Sequence, residues 1–186
     1  MARAMSDGSE AEPFRLAQSP SHLLHRAEQL AADRFAQLVG SDGVTLRQFA
    51  VLAAIAENPG LSQSDLVRAT GIDRSTLADM MNRMEKRGWV VRTASVLDAR
   101  ALSVRLAASG STILAAVTPY AHAADAAIVD SLPRTKRRSF LNMLGKLAKA
   151  SEEATAKLER DLKRDAKRAA RGKQKHKKRG RARDKS

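Results

Sequence analysis

Two helix-length runs lie between Ser62 and Arg87, separated only by Thr70-Gly71 and too short to hold a fold apart from one another. Ser62 followed three residues later by Asp65 forms a capping box with Asp in the usual Glu place, so a short helix is predicted from Ser62 to Ala69. Gly71 can take the positive φ that a tight turn needs. The next helix is predicted over Asp73–Arg87, where Leu77, Met80, Met81 and Met84 fall at i, i+3, i+4 and i+7 and make one buried stripe. Arg74, Ser75, Ala78, Asp79, Asn82, Arg83 and Lys86 occupy its other face, and Gly88 ends it. Two strands follow, Trp89–Arg92 and Ala101–Leu106, the second with Leu102, Val104 and Leu106 alternating against Ser103 and Arg105. The connection Thr93–Arg100 is an exposed hairpin loop holding Asp98-Ala99-Arg100.

The flanks are helical. Leu23, Leu24, Ala27, Leu30, Ala31, Phe35 and Leu38 recur at helical spacing over Ser21–Leu38. Thr45 caps a second helix running to Glu57, stopped by Asn58-Pro59-Gly60. Ser109–Ser131 is a long Ala-rich helix that Pro119 should bend. Pro133 suits the first turn of a last helix, whose apolar face is Phe140, Leu141, Leu144, Leu147 and Ala148. Arg134, Lys136, Arg137 and Arg138 put cations at its N-terminus, where the helix dipole disfavours them. The fold class is therefore mainly α with a small β-wing.

Hydrophobic residues are 43% of the 186, which excludes wholesale disorder. The chain has 34 Lys+Arg against 20 Asp+Glu, and 14 of the basic residues with only 3 acidic ones lie in Arg160–Ser186. Residues 151–186 read as a basic extension. From Arg171 onward it has no large apolar residue, and its end is expected to be disordered. Such an arm attracts polyanions; a merely solubilising tail is the plainer alternative. Residues 1–20 read as a flexible arm, with acidic residues and no apolar segment of the secretory type. The longest apolar run, Phe49–Ala56, is far below the roughly 18 residues of a membrane span, so no membrane partner is expected. The absence of cysteine excludes disulfides, a Cys nucleophile and thiol-based redox sensing. No nucleophile-elbow, P-loop, dinucleotide or zinc-protease motif occurs, so no catalytic residue, enzyme activity or cofactor is expected. His22 and His25 share a helix face, but two histidines with no further donor make a poor metal site, and none is assigned.

Two short helices and a two-stranded ribbon make a winged helix-turn-helix. Its second helix is slim enough to enter the major groove of double-stranded DNA. With the Leu/Met stripe facing inward, Arg74, Ser75, Thr76, Asn82 and Arg83 are candidate DNA contacts. Arg pairs bidentately with guanine and Asn with adenine, and Ser or Thr near a helix N-terminus holds phosphate. Arg100 in the hairpin loop is a candidate for the minor groove.

Residues Val44–Leu106, through IDRSTLADMMNRMEKRGWVVR and the wing LDARALSVRL, resemble the MarR family of bacterial transcription regulators. With its flanking helices the resemblance covers residues 21–150. The resemblance implies a DNA-binding lobe at about 45–107, and a wing in which Asp98 orients Arg100. It also implies a homodimer made by the helices at about 21–38 and 109–150, on a pseudopalindromic operator. A ligand cleft beside the first helices is a further implication, with His22, His25, Arg26 and Phe49 as candidate lining. So is a cytoplasmic, nucleoid-associated location. The chain departs from the family pattern at Asp79, Arg134 and Lys136, in a wing without prolines, and in its basic tail. The function expected is a homodimeric repressor released by a small-molecule effector, with aromatic carboxylates or acyl-CoA thioesters preferred. An architectural protein that coats DNA, and an activator of the same fold, remain alternatives.

Overall fold

The computed structural model describes residues 13–40, 43–94 and 102–183. A 3-10 turn, Leu16–Gln18, leads into α1 (Pro20–Val39). Then come α2 (Leu46–Glu57), α3 (Gln63–Thr70), α4 (Arg74–Lys86), β1 (Val90–Ala94), β2 (Leu102–Leu106), α5 (Ala108–Asp130) and α6 (Arg134–Arg183). Apart from the Leu16–Gln18 turn and the length of α6, the elements are those the sequence predicts, shifted by a residue or two.

Local chemistry sets the boundaries. The Ser19 hydroxyl accepts from the His22 N–H at the start of α1. Thr45 and Gln48 form a reciprocal capping box on α2, as Ser62 and Asp65 do on α3. Gly71, at φ 68°, closes α3 in the left-handed conformation, with its N–H on the Val67 carbonyl at 2.9 Å. At the other end of the domain, Arg137 turns back to the end of α5. Its guanidinium donates to the Leu132 carbonyl at 3.1 Å and the Asp130 carbonyl at 3.3 Å and pairs with the Asp130 carboxylate. One of the cations crowding the α6 N-terminus is thereby moved to the carbonyl end of a neighbouring helix, where the dipole favours it.

β1 and β2 pair antiparallel, with Val90 opposite Leu106 and Arg92 opposite Val104. The α2–α3 connection adds a third rung. Gly60 donates to the Val104 carbonyl at 3.0 Å, and Val104 donates to the Leu61 carbonyl at 2.9 Å. The wing is thus pinned to the base of α3.

One core holds the lobe together. Leu52 and Ile55 of α2, Leu66 of α3, Leu77, Met81 and Met84 of α4, Val90 and Val104 are all buried, and Phe35 of α1 joins them. The α4 stripe read from the sequence is the part of this core that fixes how the helix is rolled. α5 is long and apolar enough to cross a membrane by length and composition alone. In this fold it packs along α1 and α2, burying Val117, Ala121 and Ala124. At its start, Gly110 is buried against β1. A Cβ there would fall well inside contact distance of the Trp89 carbonyl oxygen.

The helical backbone of α6 runs 50 residues, to Arg183, and so continues past residue 150 into the basic extension. Ala, Lys and Arg, which make up most of that extension, have high helix propensity.

Candidate nucleic-acid interface

α4 starts from Asp73. The Asp73 carboxylate accepts from the Thr76 N–H at 2.9 Å and from the Ser75 hydroxyl at 2.7 Å. These hydrogen bonds, the Ser75 hydroxyl foremost, hold the Asp73 carboxyl well below the usual carboxylate range. Arg74 reaches back to the Ser64 hydroxyl of α3 at 3.3 Å. The first turn of α4 is therefore knitted to itself and to α3 before anything docks on it.

One turn from the far end, Arg83 stands exposed, with no side-chain hydrogen bond or ion pair among the described residues. Asn82 differs. Its side-chain oxygen accepts from Arg92 of β1 at 2.9 Å, and the same guanidinium lies 3.7 Å from Glu85. Arg92 is half-buried and straps α4 to the wing. Sequence reasoning missed it, although the signal was there: period-two alternation puts Arg92 on the face of β1 that buries Val90. Arg87 lies over the Trp89 ring at 5.0 Å, tying the helix end to the start of the same strand.

Two cavities concern the rest of the molecule. An open apolar groove of about 1120 Å³ runs between α1, α5 and α6, bounded by Leu23, Leu24, Ile128, Phe140, Leu144 and Leu147. Leu141 and Leu147 are more than half exposed. A smaller cleft of about 350 Å³ lies where α1 and α2 meet the α3–α4 turn, beside Glu28, Leu46, Arg47, Ala50 and Thr70–Asp73. Arg47 and Glu28 pair across it.

Residues 42–101 match the MarR family model. The transcriptional regulator HosA of Escherichia coli is 36% identical over 104 residues, which cover 56% of this chain and 77% of HosA. The chain belongs to the MarR family. Among solved structures, BpsR of Bordetella bronchiseptica, whose DNA binding is regulated by 6-hydroxynicotinic acid, superposes with a TM-score of 0.68. It is 26% identical, over 73% of this chain and 97% of BpsR. The repressor CouR on a 23-mer DNA duplex gives a TM-score of 0.63 at 28% identity, over 73% and 99% of the two chains. CouR with p-coumaroyl-CoA gives 0.64 at 27%, over 75% and 98%. The molecule is a DNA-binding transcriptional regulator with a winged helix-turn-helix fold.

Within this MarR-family fold, the candidate DNA contacts separate into groups. Arg74, Ser75, Thr76 and Arg83 share α4. Ser75 spends its hydroxyl hydrogen on Asp73 and Thr76 its N–H, so both already serve the helix cap. Asn82 sits on the same helix but is engaged by Arg92. Arg100 and Asp98 lie outside the described residues. The candidate ligand residues do not converge. His25 and Arg26 are exposed on α1 and His22 is half-buried. Phe49 packs on Phe35 with ring centroids 5.6 Å apart. None of the four borders the groove or the cleft described above. Among the described residues no cluster of three or more metal-ligating side chains occurs.

Proposed function

We propose that this MarR-family regulator is a homodimeric, sequence-specific repressor released from its operator by a small aromatic acid or its CoA thioester. One observation carries the reading: α4 is clamped by its Leu/Met stripe, its cap and Arg92, so that its Arg83 side is held rigid and open. Arg83 is the base-reading residue in this reading, Arg74, Ser75 and Thr76 approach phosphate, and Arg100 enters the minor groove from the wing. Asn82 reaches a base only by releasing Arg92.

The apolar groove along α1, α5 and α6 supports a second copy of the chain. Its exposed leucines need cover, and a two-fold partner supplies the same surface in return. Two copies of α4 then address successive major grooves. The cleft at Arg47 supports an effector. Its volume lies at the lower end of the small-molecule range, which suits a single aromatic ring. An incoming carboxylate would take Arg47 from Glu28 and act on the α3–α4 turn directly behind the reading helix. The ligands of BpsR and CouR are of this chemistry.

The test combines solution mass and footprinting. The expected result is a dimer by light scattering and a short protected palindrome, lost on adding 6-hydroxynicotinate or p-coumaroyl-CoA. A monomer, or protection that spreads with protein concentration, overturns the reading in favour of a DNA-coating protein.

A further inference from the structure

The winged lobe is a weak electrostatic match for DNA. Residues 42–107 hold nine basic and seven acidic side chains. The positive charge lies instead in the second half of α6, where residues 163–183 hold twelve basic residues and one acidic. The fold brings the stretch of α6 just before that segment to the DNA-binding lobe. Ala148, Ser151, Glu152 and Thr155 of α6 border a cavity of about 330 Å³ whose other wall is Val67–Asp73, the α3–α4 turn. Glu152, Glu153 and Ala156 border another with Asp65, Arg68 and Ala69 of α3. α6 therefore leaves the apolar groove and passes alongside the helix-turn-helix. From Ala156 to Arg183 it extends about 40 Å at 1.5 Å per residue, a little more than one duplex turn.

Within this segment the charge has a period. Lys163, Lys167, Arg171, Lys175, Arg179 and Arg183 follow one another at every fourth position. In a helix these are neighbours, about 6 Å apart along the axis, and like charges so placed repel. No acidic residue stands in the row. A row of this kind is relieved by an external polyanion, and one that tracks along the axis is matched by a phosphate backbone.

We propose that residues 163–183 of α6 form a second, sequence-independent DNA contact that grips phosphates flanking the operator. This rests on the operator-binding reading above. A row at every fourth position of a helix turns by about 40° per step, so a gain of roughly three phosphate contacts is the number to test.

The test uses the full chain carrying Lys163→Gln, Lys167→Gln, Arg171→Gln, Lys175→Gln, Arg179→Gln and Arg183→Gln, which keep length and helix propensity. Binding to a 40-base-pair random-sequence duplex is followed by fluorescence anisotropy across a salt series. Sites are also selected by both proteins from a random duplex pool. Relative to the wild type, the variant should lose about three from the salt slope. Its binding should fall about 60-fold less between 50 and 200 mM salt, the same slope change expressed over that fourfold range. Both proteins should select the same consensus. An unchanged slope overturns the inference, as does wild-type preference for single-stranded RNA of equal length. If neither protein selects a consensus, the operator reading fails, and the slope difference still decides the role of α6.

Discussion

Replacing Gly110 by Ala probes the joint that sets the wing against the helical core. Gly110 lies in the first turn of α5, and its missing side chain is what lets that helix start against the Trp89 carbonyl. The three nearest obstructing atoms, the O, C and Cα of Trp89, are all backbone, so no rotamer change makes room for the methyl group. Overpacking of this kind costs about 1–3 kcal/mol. If α5 backs away, two hydrogen bonds stretch: Ala107 N–H to the Trp89 carbonyl at 3.0 Å and the Ser109 hydroxyl to the Gly88 carbonyl at 2.5 Å. Each contributes about 1 kcal/mol. Against this, Ala gains up to about 1 kcal/mol of helix propensity over Gly. The net is a loss of roughly 3 kcal/mol, a fall in Tm of about 6–12 °C for a domain of this size. Thermal unfolding by circular dichroism, at matched protomer concentration, measures it. A Tm equal to or above that of the unsubstituted chain would refute the close-approach argument, because propensity alone would then have decided the outcome.

Other outcomes test the remaining contacts. Met81→Ala removes a side chain from the centre of the α4 stripe and should cost about 2–5 kcal/mol in urea unfolding; a loss below about 1 kcal/mol would mean the stripe is not packed as described. Arg92→Met should leave stability within about 1 kcal/mol, since its partners are exposed, yet weaken operator binding by freeing the wing from α4; unchanged affinity would show the strap to be idle. Leu144→Lys should convert a dimer into a monomer in light scattering, whereas a persisting dimer would place the interface elsewhere. Asp65 and Asp73 both have folded pKa values depressed below the usual carboxylate value, Asp65 chiefly by the Ser62 hydroxyl. Their stabilising effect is complete above about pH 4 and is lost as pH falls below it. Asp73→Asn should therefore flatten the acid side of the stability profile, and an unaltered profile would remove the cap from the explanation.

Much of the reading helix was legible because its signals are local. The Ser62–Asp65 box, Gly71 and the stripe from Leu77 to Met84 each depend on residues a few positions apart. The resemblance to the family supplied the DNA partner on the same stretch. What escaped were pairings across elements: Arg92 with Asn82, Arg74 with Ser64, Arg47 with Glu28, Arg137 with the end of α5. Apart from the period-two placement of Arg92 beside Val90, the sequence spacing of these partners carries no period, so no pattern announces the pairings. The ligand residues were the weakest part. The candidates His22, His25 and Arg26 rest on residue type along one helix, whereas a cleft is made where several elements meet; the cleft between α1, α2 and the α3–α4 turn is bordered by Arg47 of α2.

The amino-acid order alone settled where α1 to α5 and the two strands lie and which face of α4 turns inward, since torsional preference, capping and apolar period act within a turn or two. Only folding in three dimensions decided that Arg92 would claim Asn82, that α5 could begin against Trp89, and that α6 would run its residues 148–156 alongside the helix-turn-helix. Those outcomes depend on distances between elements, which the packing of one shared core fixes for all of them together.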